Sequence, residues 1–99
     1  MKQGITLLEI QGSSCAGCVS LHQEVINIIS KYPQITYRSV SMDQQEKEIR
    51  EWIAALKIEK VPTLILCDGD HEIARVSGYQ PAEILDVWLE MKLAEISEK

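Results

Sequence analysis

The chain has no phenylalanine, and its 99 residues include only two tryptophans and three tyrosines. Aliphatic side chains must therefore fill the interior. The 45% of residues that are hydrophobic suffice for a modest core in one domain spanning residues 1–99. Positive charge is also scarce: 10 Lys and Arg stand against 15 acids, a net charge of -5. No basic run exists to grip a phosphate backbone or an anionic bilayer, so neither nucleic acid nor membrane is an expected partner. No apolar run approaches the ~18 residues of a membrane span. Met1 to Gly4 carries one Lys and runs into a strand-like stretch, not into a long apolar segment with a small-residue cleavage site. The expectation is a cytoplasmic protein. Three cysteines are an odd number, which does not suit a disulfide-stapled secreted domain. In a reducing compartment a close pair is more often catalytic or metal-binding.

Repeats, low-complexity tracts and linkers rich in Gly, Ser or Pro are also missing. What is present alternates. Ile5 to Gln11 reads as a strand, apolar on both faces through Ile5, Leu7, Leu8 and Ile10. Gly12, Ser13 and Ser14 break it. A helix follows, with Cys18, Leu21, Val25, Ile28, Ile29 and Tyr32 at helical spacing, and Pro33 ends it. Ile35 to Met42 is a second strand rich in β-formers. Asp43 and Glu46 have the spacing of a capping box for a second helix striped by Ile49, Trp52, Ile53 and Leu56. Val61 to Cys67 is a short strand, Asp68-Gly69-Asp70 a turn, and Ile73 to Ser77 its hairpin partner. Pro81 suits the first position of a last helix carrying Ile84, Leu85, Trp88, Leu89 and Met91. The expected fold is α/β: a four-stranded mixed sheet flanked by three helices, in the order β-α-β-α-β-β-α.

The chemistry concentrates at the first strand-to-helix turn, Cys15-Ala16-Gly17-Cys18. A thiolate is the nucleophile, and a free thiol is mostly protonated at neutral pH. A helix N-terminus offers unpaired N–H groups and a positive dipole end, which lower the pKa of a cysteine placed there. Cys15 is the expected attacking sulfur. Cys18, one turn in, is placed to resolve a mixed disulfide.

Beyond these cysteines, Val61-Pro62-Thr63-Leu64-Ile65-Leu66 resembles the Pro-Thr strand of the thioredoxin family, Ile35 to Asp43 its strand ending in Asp, and Arg75-Val76-Ser77-Gly78 its hairpin exit. The similarity covers nearly all of the chain and starts at the family's central strand. It implies a thioredoxin-like fold and a thiol–disulfide oxidoreductase, with disulfide-containing proteins as substrates and an upstream reductase as electron donor. A monomer without bound cofactor or metal is expected. The resemblance implies a cis Pro62 facing the disulfide. The Val61 backbone is then available to an extended peptide, and Val61, Pro62, Thr63 and Ser14 are the expected substrate contacts. The family has Trp before the first cysteine and Gly-Pro inside the pair. Here Ser14 and Ala16-Gly17 stand there, and the missing proline should loosen the helix start and alter the redox potential.

Glu9 is the one charge in the first strand. The family has a buried Asp at the matching position, which takes the proton of the inner cysteine. Burial makes a carboxylate a better proton acceptor. Glu9 is thus either a base for Cys18 or a strand-end glutamate reaching solvent. If it is buried and unpaired, Glu9→Gln should stabilise the fold. His22 reads as a helix-surface residue, His71 as a solvated turn residue, Cys67 as a small hydrophobe, and Trp52 and Trp88 as core residues.

A rival resemblance covers the front of the chain. Ile10-Gln11-Gly12-Ser13-Ser14-Cys15-Ala16-Gly17-Cys18-Val19 is similar to the loop of heavy-metal-associated domains, whose two thiolates hold copper(I). That reading makes the chain a binding module. Ser13 replaces the usual methionine, a helix pattern follows the second strand, and Val-Pro-Thr has no counterpart there. A third reading is a thioredoxin-fold docking or sensor protein with little turnover.

Overall fold

Strand β1, Ile5–Gln11, has no polar face to offer water along most of its length: Leu7, Leu8, Glu9 and Ile10 are all buried. Such a strand is stable only at the centre of a sheet covered on both sides. It takes that place in the computed structural model, which describes residues 4–43 and 46–97. The sheet order is β2-β1-β3-β4, with β2 at Ile35–Ser41, β3 at Thr63–Asp68 and β4 at His71–Ser77. β2 runs parallel to β1, from Ile5 opposite Ile35 to Gln11 opposite Ser41. That pairing needs a crossover, which helix α1 (Ala16–Ile29) supplies. β3 pairs antiparallel with β1, and β4 with β3. Gly69 and Asp70 join the last two strands, and Gly69 adopts a left-handed φ of 64° that a side chain would oppose.

Alternation along β1 sorts its side chains between two cores. Leu7 packs with Leu21, Val25, Leu64, Leu66, Leu85 and Leu89, beneath α1 and α3 (Ala82–Ser97). Leu8 and Ile10 pack with Val40, Ile49, Ile53 and Ile65, beneath α2 (Lys47–Leu56). Each fully buried leucine or isoleucine contributes about 1.5 to 3 kcal/mol. Cys67, half-buried, and Trp52 pack against the second core and Trp88 against the first, as expected.

Two details differ from the sequence expectation, the cap of α2 and the place of Tyr32. Helix α2 begins at Lys47 with Glu46 as its N-cap residue, and Glu46 makes no side-chain capping bond. Asp43 is therefore not the N-cap residue, and its carboxylate accepts from Ser13. Tyr32 lies past the end of α1, yet it is buried and holds α3: its hydroxyl donates to the Asp86 carboxylate and to the Asp86 carbonyl, which lies 3.2 Å away. In α3, Leu85 and Leu89 face inward while Ile84 and Met91 point outward, because one helix face can reach the sheet. Of the two resemblances, the order after α1, one strand and then a helix, is that of the thioredoxin family.

Candidate active site

The buried β1 delivers the chain to the loop 12–15, at the end of the sheet where α1 starts. Cys15 is the N-cap residue of α1, with extended backbone (φ -120°, ψ 101°). Its Sγ accepts the Cys18 N–H at 3.1 Å, and its carbonyl accepts the N–H groups of Cys18 and Val19 at 3.2 and 3.3 Å. No acid lies in the first turn of α1 to offset the positive end of the helix from within. An N–H aimed at Sγ stabilises a thiolate there once the pair is reduced. Cys15 and Cys18 are joined as a disulfide with a Cα–Cα separation of 5.2 Å. Cys18 is 1% exposed, whereas Cys15 is half-buried. Of the two sulfur-bearing residues, Cys15 is therefore the more accessible.

The loop is clamped from both neighbours of β1. On the β2 side, the Ser13 N–H (3.0 Å) and hydroxyl (2.5 Å) both donate to Asp43 Oδ2, which holds the Asp43 carboxyl below its ordinary pKa. This anchors the residue before Ser14, whose φ of 54° is a conformation costing about 1 to 2 kcal/mol for a residue with a side chain. On the β3 side, a Cβ on Gly12 would lie 3.0 Å from Val61 Cγ2, and one on Gly17 would lie 3.7 Å from Pro62 Cδ. Gly12 permits this close approach, so Val61 and Pro62 border the cysteine turn. The Val61–Pro62 peptide is cis, as the resemblance implies. The Pro62 carbonyl accepts the Gly78 N–H at 2.8 Å. Thr63 is buried; its hydroxyl donates to the Lys60 carbonyl at 2.7 Å and lies 3.2 Å from Ser77 Oγ. Its side chain thus secures this strand from inside and is not presented to a partner. Ser14 is exposed beside Cys15.

Glu9 is fully buried, which decides against the solvent-reaching alternative. It is not unpaired. The Tyr37 hydroxyl from β2 donates to Glu9 Oε1, and His22 Nδ1 from α1 lies 3.1 and 3.3 Å from the two carboxylate oxygens. The same Nδ1 is 3.0 Å from the Tyr37 oxygen. Burial, followed by the bond to Glu9, pushes the Tyr37 phenol far above its ordinary pKa, so it remains a donor. The expected stability gain from Glu9→Gln assumed a bare buried charge and does not follow for a carboxylate with two partners.

His22 and Tyr37 are thus site residues that sequence reasoning missed, and His22 is not merely a surface residue. The available signal was spacing: His22 follows Cys18 by one helical turn, and Tyr37 points to the same sheet face as Ser39, the residue opposite Glu9 in the parallel register. Beside the cysteines, Ala16, Gly17, Ser20, Gln23, Glu24 and Tyr79 line an open groove of about 410 Å³. A larger cavity, about 630 Å³, opens at the other end of the strands under α2, beside Trp52 and Cys67. Burial, and secondarily Glu72, pushes the Cys67 thiol up. Among the described residues no cluster of three or more His, Cys, Asp or Glu could hold a metal ion.

The chain as a whole is similar to known proteins. A family model described as a thioredoxin-like domain matches residues 2–92. A thioredoxin from Chlamydia pneumoniae is 27% identical over 82 residues, covering 83% of this chain and 76% of that protein. Oxidised thioredoxin O2 from Arabidopsis thaliana superposes with a TM-score of 0.76 at 20% identity, over 91% of this chain and 76% of the other. Thioredoxin-2, described as a component of the malaria parasite protein secretion machinery, gives 0.75 at 21% identity, over 92% and 85%.

Proposed function

The chain belongs to the thioredoxin-like domain family, and we propose that it exchanges thiols for disulfides on protein substrates through Cys15 and Cys18. Membership together with the cysteine pair supports thiol–disulfide oxidoreductase chemistry in the broad sense. The observation that carries the finer reading is the Cys18 N–H on Cys15 Sγ at the N-terminus of α1, whose first turn holds no acid. In the reduced protein the Cys15 thiolate attacks a substrate disulfide, and one substrate sulfur leaves as a thiolate. Cys18, deprotonated, then attacks Cys15 Sγ. The second substrate sulfur departs and the Cys15–Cys18 disulfide remains. An upstream reductase returns two electrons to the pair.

Glu9, buried on the α1 side of β1, is the group we assign as acceptor of the Cys18 proton. Val61 and Pro62, packed against Gly12 and Gly17, form one wall for an extended substrate peptide, with Ser14 exposed on the other side. Thr63 contributes by holding that strand in place. The reading is of a one-domain monomer in the cytoplasm, working without a bound cofactor. No described helix is long and apolar enough to cross a membrane.

The test is reduction of insulin disulfides with dithiothreitol as electron source. The protein should accelerate it, Cys15→Ser should abolish the effect, and Cys18→Ser should accumulate a mixed disulfide on Cys15. A wild-type rate equal to that of dithiothreitol alone would refute the activity.

A further inference from the structure

Glu9 has no surface open to bulk solvent, so a proton it accepts must leave by another group. Among the described residues, two side chains lie within hydrogen-bond distance of its carboxylate. Tyr37 cannot pass the proton on, because its phenol stays protonated and already donates to Oε1. His22 differs in two respects. Its Nδ1 lies within 3.3 Å of both carboxylate oxygens, and its side chain is 34% exposed. An imidazole carries a proton on either nitrogen and changes charge between about pH 5 and 8. The ring therefore spans the distance from a buried carboxylate to solvent.

We propose that His22 is a positioning and proton-relay residue for Glu9, carrying the proton of Cys18 between the buried carboxylate and water. This rests on the reading of Glu9 as the proton acceptor. The balance is as follows. Cys18 gives its proton to Glu9, directly or through one water, and becomes the thiolate that attacks Cys15 Sγ. Glu9 passes the proton to His22 Nδ1, and His22 releases a proton from Nε2 to solvent. When the disulfide is reduced again, the path runs in reverse. In the oxidised state the Tyr37 hydrogen already points to Glu9, so the hydrogen between His22 and an ionised Glu9 belongs to Nδ1. Among the described residues, the polar side chains bonded to His22 are Glu9 from β1 and Tyr37 from β2, whose ring lies 6.3 Å away, centre to centre. Cys18 is one turn back on its own helix.

His22→Asn is the test. It keeps an N–H near the Nδ1 position but has no second titratable nitrogen. The full chain with Cys67→Ser is reduced and mixed with a nitrobenzoate aryl disulfide, which releases one coloured thiolate at each step. The first phase reports attack by Cys15 and the second reports resolution by Cys18. His22→Asn should leave the first phase unchanged and slow the second by roughly 10- to 100-fold near neutral pH. The pH profile of the second phase should change shape, and added imidazole should restore its rate. A merely structural role would give neither effect. A second phase in His22→Asn with wild-type rate and pH profile overturns the relay. Glu9→Gln separates the two readings. If it slows the second phase while His22→Asn does not, Glu9 is the acceptor and the relay alone is refuted. If Glu9→Gln also leaves that phase unchanged, both fail.

Discussion

Glu24 of α1 accepts the backbone N–H of Ala82, the first residue of α3, at 3.0 Å, so one helix caps another. The same carboxylate accepts the Tyr79 hydroxyl at 2.9 Å. The first N–H groups of a helix have no partner within it, and a side-chain acceptor supplies one. Glu24→Ala should destabilise the fold by about 1 kcal/mol, the usual effect of losing a cap. For a chain of this size that lowers the unfolding midpoint by roughly 4 to 8 °C. Glu24→Gln keeps an acceptor oxygen and should lose less. Thermal unfolding of both variants checks this, and equal midpoints for wild type and Glu24→Ala would show that the contact contributes nothing.

Tyr37 donates to a carboxylate with no exposed surface. Tyr37→Phe removes the donor and leaves Glu9 with His22 alone. Hydrogen bonds to charged groups are worth about 1.5 to 3 kcal/mol, and a loss in that range is expected from urea unfolding at neutral pH. Tyr32→Phe offers a comparison, because the Asp86 side chain it would abandon is 22% exposed and also bound by Lys31. Its loss should be smaller, nearer 0.5 to about 1.5 kcal/mol.

Thiol reactivity should separate the three cysteines. In the reduced protein Cys15 sits at the helix terminus, half-buried, Cys18 is enclosed, and Cys67 is held in its protonated form by burial. Iodoacetamide near neutral pH should alkylate Cys15 at least ~10-fold faster than either of the others, because the thiolate is the reacting form. Peptide mapping of a time course measures the three rates. Equal rates would remove the distinction between attacking and resolving sulfur.

Acid should loosen the turn before the cysteines. The Asp43 carboxyl lies below its ordinary value of 3.8 because Ser13 donates to it twice. A carboxyl depressed in the folded state stabilises fully above its unfolded pKa, and the contribution fades as pH falls through the folded one. Protection of the Ser13 amide against hydrogen exchange should hold from neutral pH down to the carboxylate range and drop below it. In Asp43→Asn the protection should be weaker at neutral pH and insensitive to acid. A wild-type amide equally protected on both sides of that range would contradict the account.

Most of the fold was legible because it follows from one-dimensional patterns. β1 is apolar at consecutive positions, and only a central strand tolerates that. The stripes of α1 and α2 have helical spacing. The hairpin at Gly69-Asp70 has the residues its geometry needs. The capping of α2 was misread because its N-cap residue is Glu46, while the Asp43 carboxylate accepts from Ser13 thirty residues earlier, a contact made only when β1 and β2 lie side by side. The apolar pattern of α3 is wider than the face the sheet can cover, so it did not say which of its residues, Leu85 and Leu89 or Ile84 and Met91, would face inward. In the site, the cysteine turn and Pro62 were visible from local motifs. The environment of Glu9 was not. Its partners come from α1 and β2, and a histidine beside a cysteine motif carries no mark of the strand it will face.

The position of β1 also sets the timing of assembly. Its first neighbour, β2, follows after a single helix, but its other neighbour is β3, where Ile5 meets Asp68 and Ile10 meets Thr63. During synthesis the segment that becomes the middle of the sheet emerges early and keeps an open edge until those distant residues have left the ribosome. Contacts so far apart in sequence slow folding, and an unpaired apolar edge is what drives nascent chains to associate. The strand that carries the reactive turn into place is therefore the one that needs shelter longest.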